Sequence, residues 1–363
     1  MTGRPTLTVV APSSSRGGAA LVLLRALSTA VGRGWTVRCL CPPGPLAQDL
    51  TAAGVPTIAI PELSLPSGPR TLALLRLAIR TLMAALAVRR AARGSDGILL
   101  NGLLGLPAVA LARPRPPVIY LVHEVIRRPD RVRLLRQLRS AVKLAIAISS
   151  AGAAALADAG LDARIVPNGT PWPVPPSPPL PSSPPTVGCV ASLTVGKGQH
   201  VLLDALALLQ RSDVVVELVG EALPKDDTYA AALRAKVSSA GLSDRVRFLG
   251  HVANPLDRVR GWVVSVMPSV EPEAQSLAVL EAMSVGVPVV GTDHGGIPET
   301  LGDAGLVVPP DDAVALADAL ARLISDDALR RRCAVAGPIR VAKCYSLSER
   351  VAELLDAIAE PLA

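Results

Sequence analysis

The stretch 271-EPEAQSLAVLEAMSVGVPVV-290 places two carboxylates, Glu273 and Glu281, eight residues apart on either side of Ser276 and closes on Gly286-Val287-Pro288. Ser276 is a good helix N-cap, and Gly286 followed by Pro288 is a good stop, so the spacing predicts a short helix over 277–285. The first turn of such a helix leaves N–H groups without carbonyl partners, at the positive end of the helix dipole. That is a ready site for a phosphate or diphosphate. Carboxylates are poor phosphate ligands but good acceptors for the paired hydroxyls of a sugar or ribose. The arrangement therefore suits a diphosphate with a sugar at one end and a ribose at the other.

Outward from this stretch, short β-branched runs alternate with Ala/Leu-rich helical segments, which predicts parallel α/β units. Strands are expected at 6–12, 35–40, 55–60, 97–101, 117–123, 143–149 and 163–168, with helical segments between them, for example at 18–32, 71–93 and 131–142. Then comes 170-TPWPVPPSPPLPSSPP-185, in which nine of sixteen residues are proline; it reads as an extended linker. The alternation restarts with strands at 186–192, 214–220, 245–250, 263–269, 287–292 and 306–310. Helices are expected at 198–210, 228–240, 275–285, 313–325 and 327–336, and 346–363 reads as a last helix. The expected fold is two Rossmann-like, doubly wound domains facing a central cleft. Residues 1–168 form the first, 169–185 the linker and 186–345 the second, with ligand held at the carboxyl ends of the strands.

A chain of 363 residues that is half hydrophobic can build two cores, and with aromatics at only 2% those cores must be filled by Ala, Val and Leu. The net charge of +7 is uneven: residues 1–168 hold 21 Lys/Arg against 7 Asp/Glu, and the remainder 16 against 23. The first half thus faces something anionic. The five cysteines form no CxxC and, with four histidines, no metal-ligand spacing; they read as reduced thiols, with Cys39 and Cys189 in the core. The apolar run at the N-terminus is too short for a signal peptide. The longest apolar stretch, 71–93, is interrupted by Arg76 and Arg80, so no membrane-spanning segment is expected. The segment 127–143 sets leucine and valine at helical spacing with arginines around them. It reads either as a solvated basic helix or as an interfacial one touching anionic lipid or a lipid-linked acceptor. Nucleic-acid binding is not expected, because no aromatic residues are interleaved for stacking.

The opening stretch, E-x7-E followed by 282-AMSVGVPVV-290, resembles the donor-site motif of retaining family 4 glycosyltransferases, which have the GT-B fold. The segments 292-TDHGGIPETL-301, 191-ASLTVGKGQHVLLDAL-206, 165-IVPNGT-170, 120-YLVHE-124, 147-AISS-150 and 246-VRFLGHV-252 resemble further family segments, in family order. The resemblance implies transfer of a sugar, with retention, from a UDP- or GDP-linked donor to a glycan, glycolipid or metabolite. It implies no cofactor or required metal, a cytoplasmic or membrane-peripheral location, an acceptor-binding first domain and a last helix crossing back to it. It also implies roles residue by residue. Glu273 binds sugar hydroxyls and stabilises charge at the anomeric carbon, Ser276, Leu277 and Ala278 offer backbone N–H groups to the diphosphate, and Glu281 holds the ribose. Lys197 neutralises the leaving diphosphate, His123 contacts the transferred sugar, Gly17 and Gly18 allow close backbone approach, and the loop of His251 and Val252 lines the base pocket. Glu271 is a nearby competitor for Glu273. One departure is Ser192, where the family usually has an arginine whose fork grips phosphate. A catalytically degenerate nucleotide-sugar-binding subunit, supported by Ser192, is one rival reading; a nucleotide-sugar 2-epimerase is another, disfavoured by the shortage of further acid/base groups.

Overall fold

The computed structural model describes residues 4–64, 70–171, 183–223 and 226–362. The chain divides into two compact units, residues 1–168 with 349–363, and residues 169–348. Most of the expected proline-rich linker, residues 172–182, lies outside the described residues.

In the first unit the elements run β1 (Thr6–Val10), α1 (Gly18–Gly32), β2 (Thr36–Cys41), α2 (Pro45–Ala52), β3 (Thr57–Ala59), α3 (Arg70–Ala92), β4 (Gly97–Asn101), α4 (Leu106–Ala112), β5 (Val118–Val122), α5 (Pro129–Leu138), β6 (Leu144–Ala147), α6 (Ser150–Ala157) and β7 (Ala163–Ile165). The strands form one parallel sheet in the order β3-β2-β1-β4-β5-β6-β7. In the second unit follow β8 (Thr186–Val190), α7 (Gln199–Leu208), β9 (Val215–Val219), α8 (Asp227–Ser239), β10 (Val246–Gly250), α9 (Leu256–Val259), β11 (Val264–Met267), α10 (Leu277–Ser284), β12 (Val289–Thr292), α11 (Ile297–Leu301), β13 (Gly305–Val308), α12 (Ala313–Ser325) and α13 (Asp327–Cys344). Their parallel sheet runs β10-β9-β8-β11-β12-β13. The last helix, α14 (Leu347–Ala359), belongs from Glu349 onward to the first unit, where Arg33 pairs with Asp356 at 3.3 Å and Arg164 with Glu360 at 2.9 Å.

Both sheets reverse direction of growth once, between β1 and β4 in the first unit and between β8 and β11 in the second. Loops that leave the carboxyl ends of these strand pairs diverge and open a crevice, the usual ligand position of such sheets. The central strands are buried on both faces and read as continuous Val/Ile/Leu runs, as a sheet covered by helices requires. With few aromatics available, Trp262 is the largest fully buried side chain. Its ring covers Gly188, where a Cβ would lie 2.1 Å from it, and its Nε1 donates to Glu217 Oε2 at 2.9 Å.

All thirteen expected strands form. The short helices α2, α4 and α6 fill further intervals between strands of the first unit, while α9 and α11 are additional to the helices expected in the second; with four and five residues they are too short for a 3.6-residue periodicity to stand out. The helix expected at 327–336 continues through Pro338 to Cys344. Pro338 is buried, and Gly337 lets this helix approach the Met283 carbonyl so closely that a Cβ would sit 2.9 Å from it. Packing here overrides the proline's tendency to end a helix. The five cysteines are free thiols, with Cys39 and Cys189 buried. Burial pushes the Cys189 thiol up to about 12. Helix α3 is long and apolar enough to cross a membrane despite its arginines.

Candidate functional site

In the second unit the crevice at the reversal point is built from the loop after β8 and the loop after β11. Lys197 ends a single 3-10 turn, Val195–Lys197, that Gly198 closes in the left-handed conformation (φ +68°). A Cβ on Gly198 would lie 1.8 Å from the Pro268 carbonyl oxygen, so the two loops meet backbone to backbone at a place only glycine fits. The N–H groups of Val270 and Glu271 both donate to the Gly196 carbonyl, at 3.0 and 3.1 Å, and fasten the second loop to the first.

That fastening brings Lys197 Nζ onto the Glu273 carboxylate. The Ser269 hydroxyl donates to the same oxygen, Oε1, at 2.9 Å, and Ser269 is itself held by the Thr292 hydroxyl, which donates to its carbonyl at 2.8 Å. On its other side Glu273 is gripped by the loop after β12. Gly296 N–H donates to the Glu273 carbonyl at 2.7 Å, and Gly295 (φ +64°) passes so close that a Cβ would be 2.1 Å from that oxygen. Glu271, by contrast, is exposed, with its carboxylate against Gly196. Of the two adjacent carboxylates, Glu273 is the one paired with the lysine.

Three residues on, Ser276 caps α10, its hydroxyl accepting from Val279 N–H at 3.4 Å. The amides of Leu277 and Ala278, first in the helix, have no carbonyl partner within it. Glu281 follows one turn further along α10 and is partly buried. The helix ends at Ser284, one residue earlier than expected, with Gly286 at φ +75°. Ser192 is exposed after β8, where its carbonyl accepts from the Gln199 side chain at 2.9 Å. Beside it, His251 N–H donates to Glu221 Oε1 at 3.1 Å, and Val252 packs against the apolar cluster around Trp262. Ser192 and Lys197 are thus in the loop after β8, Glu273 and Ser276 in the loop after β11, and Leu277, Ala278 and Glu281 on α10, all around one strand pair, while Val252 follows β10, two strands from β8. Among the described residues no group of three or more His, Cys, Asp or Glu could hold a metal ion.

In the first unit, His123 follows β5, and its Nε2 lies 2.7 Å from Asn101 Oδ1 at the end of β4. Because that amide oxygen accepts, Nε2 carries the proton and Nδ1 keeps its lone pair. Nδ1 is buried without a partner among the described residues. Burial lowers the imidazole pKa to about 4, so the ring is neutral at pH 7. Such a histidine accepts a hydrogen bond; it does not act as a cation. The following loop is tied down by the Glu124–Arg131 ion pair. Gly17 caps α1 in extended backbone (φ −163°), and nothing lies within 4 Å of a Cβ built on it, so the fold itself does not demand glycine there. Gly18 opens α1, and both glycines are exposed.

Ser269, Thr292, Asn101, Glu221 and Gln199 escaped the sequence reading. Four of them share one signal: each is a polar residue at or just past the carboxyl end of an otherwise apolar strand, where a parallel sheet puts its ligand contacts.

Residues 16–171 match the family model "Glycosyltransferase Family 4", and residues 184–326 match "Glycosyl transferases group 1". The lipopolysaccharide core biosynthesis mannosyltransferase LpsB of Rhizobium meliloti is 32% identical over 182 residues, 48% of this chain and 51% of that protein. The phosphatidyl-myo-inositol mannosyltransferase of Mycobacterium leprae is 37% identical over 147 residues, 39% of this chain and 37% of that one. The chain thus spans about half the length, or less, of these relatives. Among solved structures, HepE of Anabaena in complex with UDP and glucose superposes with a TM-score of 0.82 at 23% identity, over 98% of this chain and 100% of that one. Sucrose-phosphate synthase of Thermosynechococcus elongatus gives 0.82 at 22%, over 98% and 99%. The fold is therefore GT-B.

Proposed function

Since the chain belongs to the family 4 glycosyltransferases, we propose that it moves a hexose from a UDP- or GDP-linked donor to a glycan, glycolipid or small-metabolite acceptor. Transfer proceeds with retention at the anomeric carbon, and neither a metal nor a cofactor is needed. The observation that carries this reading is the Lys197–Glu273 pair, fixed by two glycine-only contacts at the sheet's reversal point, one turn before the N-terminus of α10.

Each group has a part. An ammonium has three donors, so Lys197 can hold Glu273 with one and turn the others to the leaving diphosphate. The opening amides of α10 receive phosphate oxygens and supply positive dipole where charge builds. These two sources of positive charge stand in for a divalent ion. Glu273 accepts from sugar hydroxyls and faces the positive charge that develops at the anomeric carbon. Glu281 accepts from the ribose hydroxyls. His123, neutral and with Nδ1 unpaired, accepts from a hydroxyl of the transferred sugar. Gly17 and Gly18 leave room for substrate, and the basic segment 127–143 meets an anionic lipid surface or a lipid-linked acceptor. The UDP in HepE supports a nucleotide-linked donor, and the mannosyltransferase relatives support a hexose as the group transferred. Bacterial lipopolysaccharide and phosphoinositide relatives support a glycolipid or polysaccharide acceptor.

Ser192 favours a second reading, a nucleotide-sugar-binding subunit without catalysis, because no guanidinium fork meets the diphosphate there. Incubation with UDP- and GDP-sugars in the presence of a chelator separates the two. The enzyme reading requires slow release of free nucleotide, with the hydrolysed sugar first appearing as the α anomer from an α-linked donor. Saturable donor binding with no release beyond the buffer rate would establish the binding-subunit reading instead.

A further inference from the structure

Helix α3 of the first unit carries a stripe that its own fold leaves uncovered. Ala73, Ala84, Ala85, Val88, Ala91 and Ala92 face the core. On the opposite side Leu72, Leu75, Ile79, Leu82, Met83 and Leu86, at helical i, i+3, i+4 spacing, are each between 49% and 57% exposed. Isolated exposed leucines are ordinary, but six along one face of a 23-residue helix, from Leu72 to Leu86, form a continuous apolar band about 21 Å long. The helix contains no acidic residue, and its polar margins are Arg76, Arg89 and Arg90, all exposed, with Arg93 just beyond.

Neighbouring helices extend the pattern. Helix α4 packs against both α3 and α5, and the three share one core cluster on one face of the sheet. Helix α4 adds exposed Leu111, and α5 adds exposed Arg133 and Arg136, with Arg127 and Arg128 before it and Asp130 as its one acid.

We propose that the α3–α4–α5 face docks on the surface of an anionic lipid bilayer, with the α3 band lying in the plane of the interface and the arginines among the headgroups. An apolar band whose charged margins on α3 itself are all cationic is what such a surface recognises, since acyl chains accept the leucines while lipid phosphates meet the guanidiniums. A second copy of this chain is the poorer occupant: it would bring arginines to a helix face that has no carboxylate to receive them. The helix does not span the bilayer, because its alanine stripe is part of the first unit's core and cannot leave without opening the sheet. The basic segment after β5 thus becomes the secondary element and α3 the primary one.

The test is flotation of the full chain with vesicles of phosphatidylglycerol and phosphatidylcholine, against phosphatidylcholine alone. It is repeated for the triple variant L75Q/L82Q/L86Q and the double variant R89Q/R90Q. Wild type is expected to float with the anionic vesicles and to be released by salt. The triple variant should lose binding more than tenfold. The double variant should lose roughly 30-fold at low salt, for two basic groups near an anionic surface. Thermal melts equal to wild type, expected because every replaced side chain is exposed, separate loss of docking from loss of fold. Absence of flotation by wild type would overturn the proposal, as would variants that float equally well. A concentration-dependent dimer dispersed by the triple variant, with no vesicle binding, would overturn it in favour of self-association. None of these outcomes depends on sugar transfer, so a failure here leaves the proposed reaction untouched.

Discussion

Replacing Lys197 with methionine separates the lysine's part in holding the site together from its part in chemistry. The ammonium contacts the Glu273 carboxylate, whose side chain is 16% exposed against 29% for the lysine. Methionine keeps most of the stem's packing and removes the charge, leaving Glu273 Oε1 with the Ser269 hydroxyl as its other donor in the structure. Losing one hydrogen bond to a largely buried charge costs about 1.5–3 kcal/mol, and partial solvent access to the lysine brings that toward 1–2 kcal/mol. For a unit of this size the melting temperature falls by roughly 2–4 °C for each kcal/mol, so the variant stays folded at 25 °C. The chemical loss is larger. Removing one preorganised positive group from a site where charge develops typically costs about 100- to 1,000-fold in kcat. Lys197→Arg should recover part of this, while Glu273→Gln should lose turnover with the lysine still present. The assay is initial-rate nucleotide release from the best donor, with melts run in parallel. If Lys197→Met stays within threefold of the wild-type kcat, the lysine is only a strut for Glu273 and its assigned role in neutralising the diphosphate is wrong.

Further predictions rest on single contacts. Because burial holds the His123 pKa at about 4 against an ordinary value near 6.5, the unfolded chain binds a proton between these pH values that the folded chain refuses. Stability should therefore fall by up to about 3 kcal/mol as pH drops from 6.5 to 4, and His123→Gln should flatten that part of the curve in urea titrations. Gly17→Ala should leave the melting temperature unchanged, because open space surrounds the position, and should weaken substrate binding or turnover; unchanged kinetics would remove Gly17 from the site. Gly295→Ala is the opposite case, since a Cβ 2.1 Å from the Glu273 carbonyl at φ +64° must displace the loop. A loss of 2 kcal/mol or more in stability together with loss of donor binding is expected. Ser276→Ala should cost about 1 kcal/mol through the lost cap and weaken nucleotide binding, measured by denaturation and by titration.

The strands were legible in the sequence because central parallel strands are buried on both faces and must be written as nearly continuous apolar runs; Ile98 to Leu100 within 97-GILLN-101 and the whole of 118-VIYLV-122 are examples. Short helices were not, since α9 and α11 span four and five residues, barely one turn, and are held by the loops around them rather than by their own pattern. The helix through Pro338 was hidden because its continuation depends on a tertiary contact, Gly337 against Met283, that no local propensity encodes. At the site, charged residues at motif spacing, Lys197, Glu273 and Glu281, could be named in advance. Their neutral supports were not named: Ser269 and Thr292 are common residues whose role arises only when the loops after β8, β11 and β12 meet, as Asn101 gains its role only where β4 runs beside His123. The exposed band of α3 was equally invisible, because an apolar run says nothing about which face the core takes.

The most direct measurement of the central claim is calorimetric titration of UDP and GDP into the wild-type chain and into Glu281→Ala. One nucleotide should bind one-to-one, and the variant, having lost a charged acceptor for the ribose hydroxyls, should bind it about 10- to 100-fold more weakly. Binding of neither nucleotide, or equal binding by the variant, would contradict the assignment of α10 and its carboxylates to a nucleotide-sugar donor.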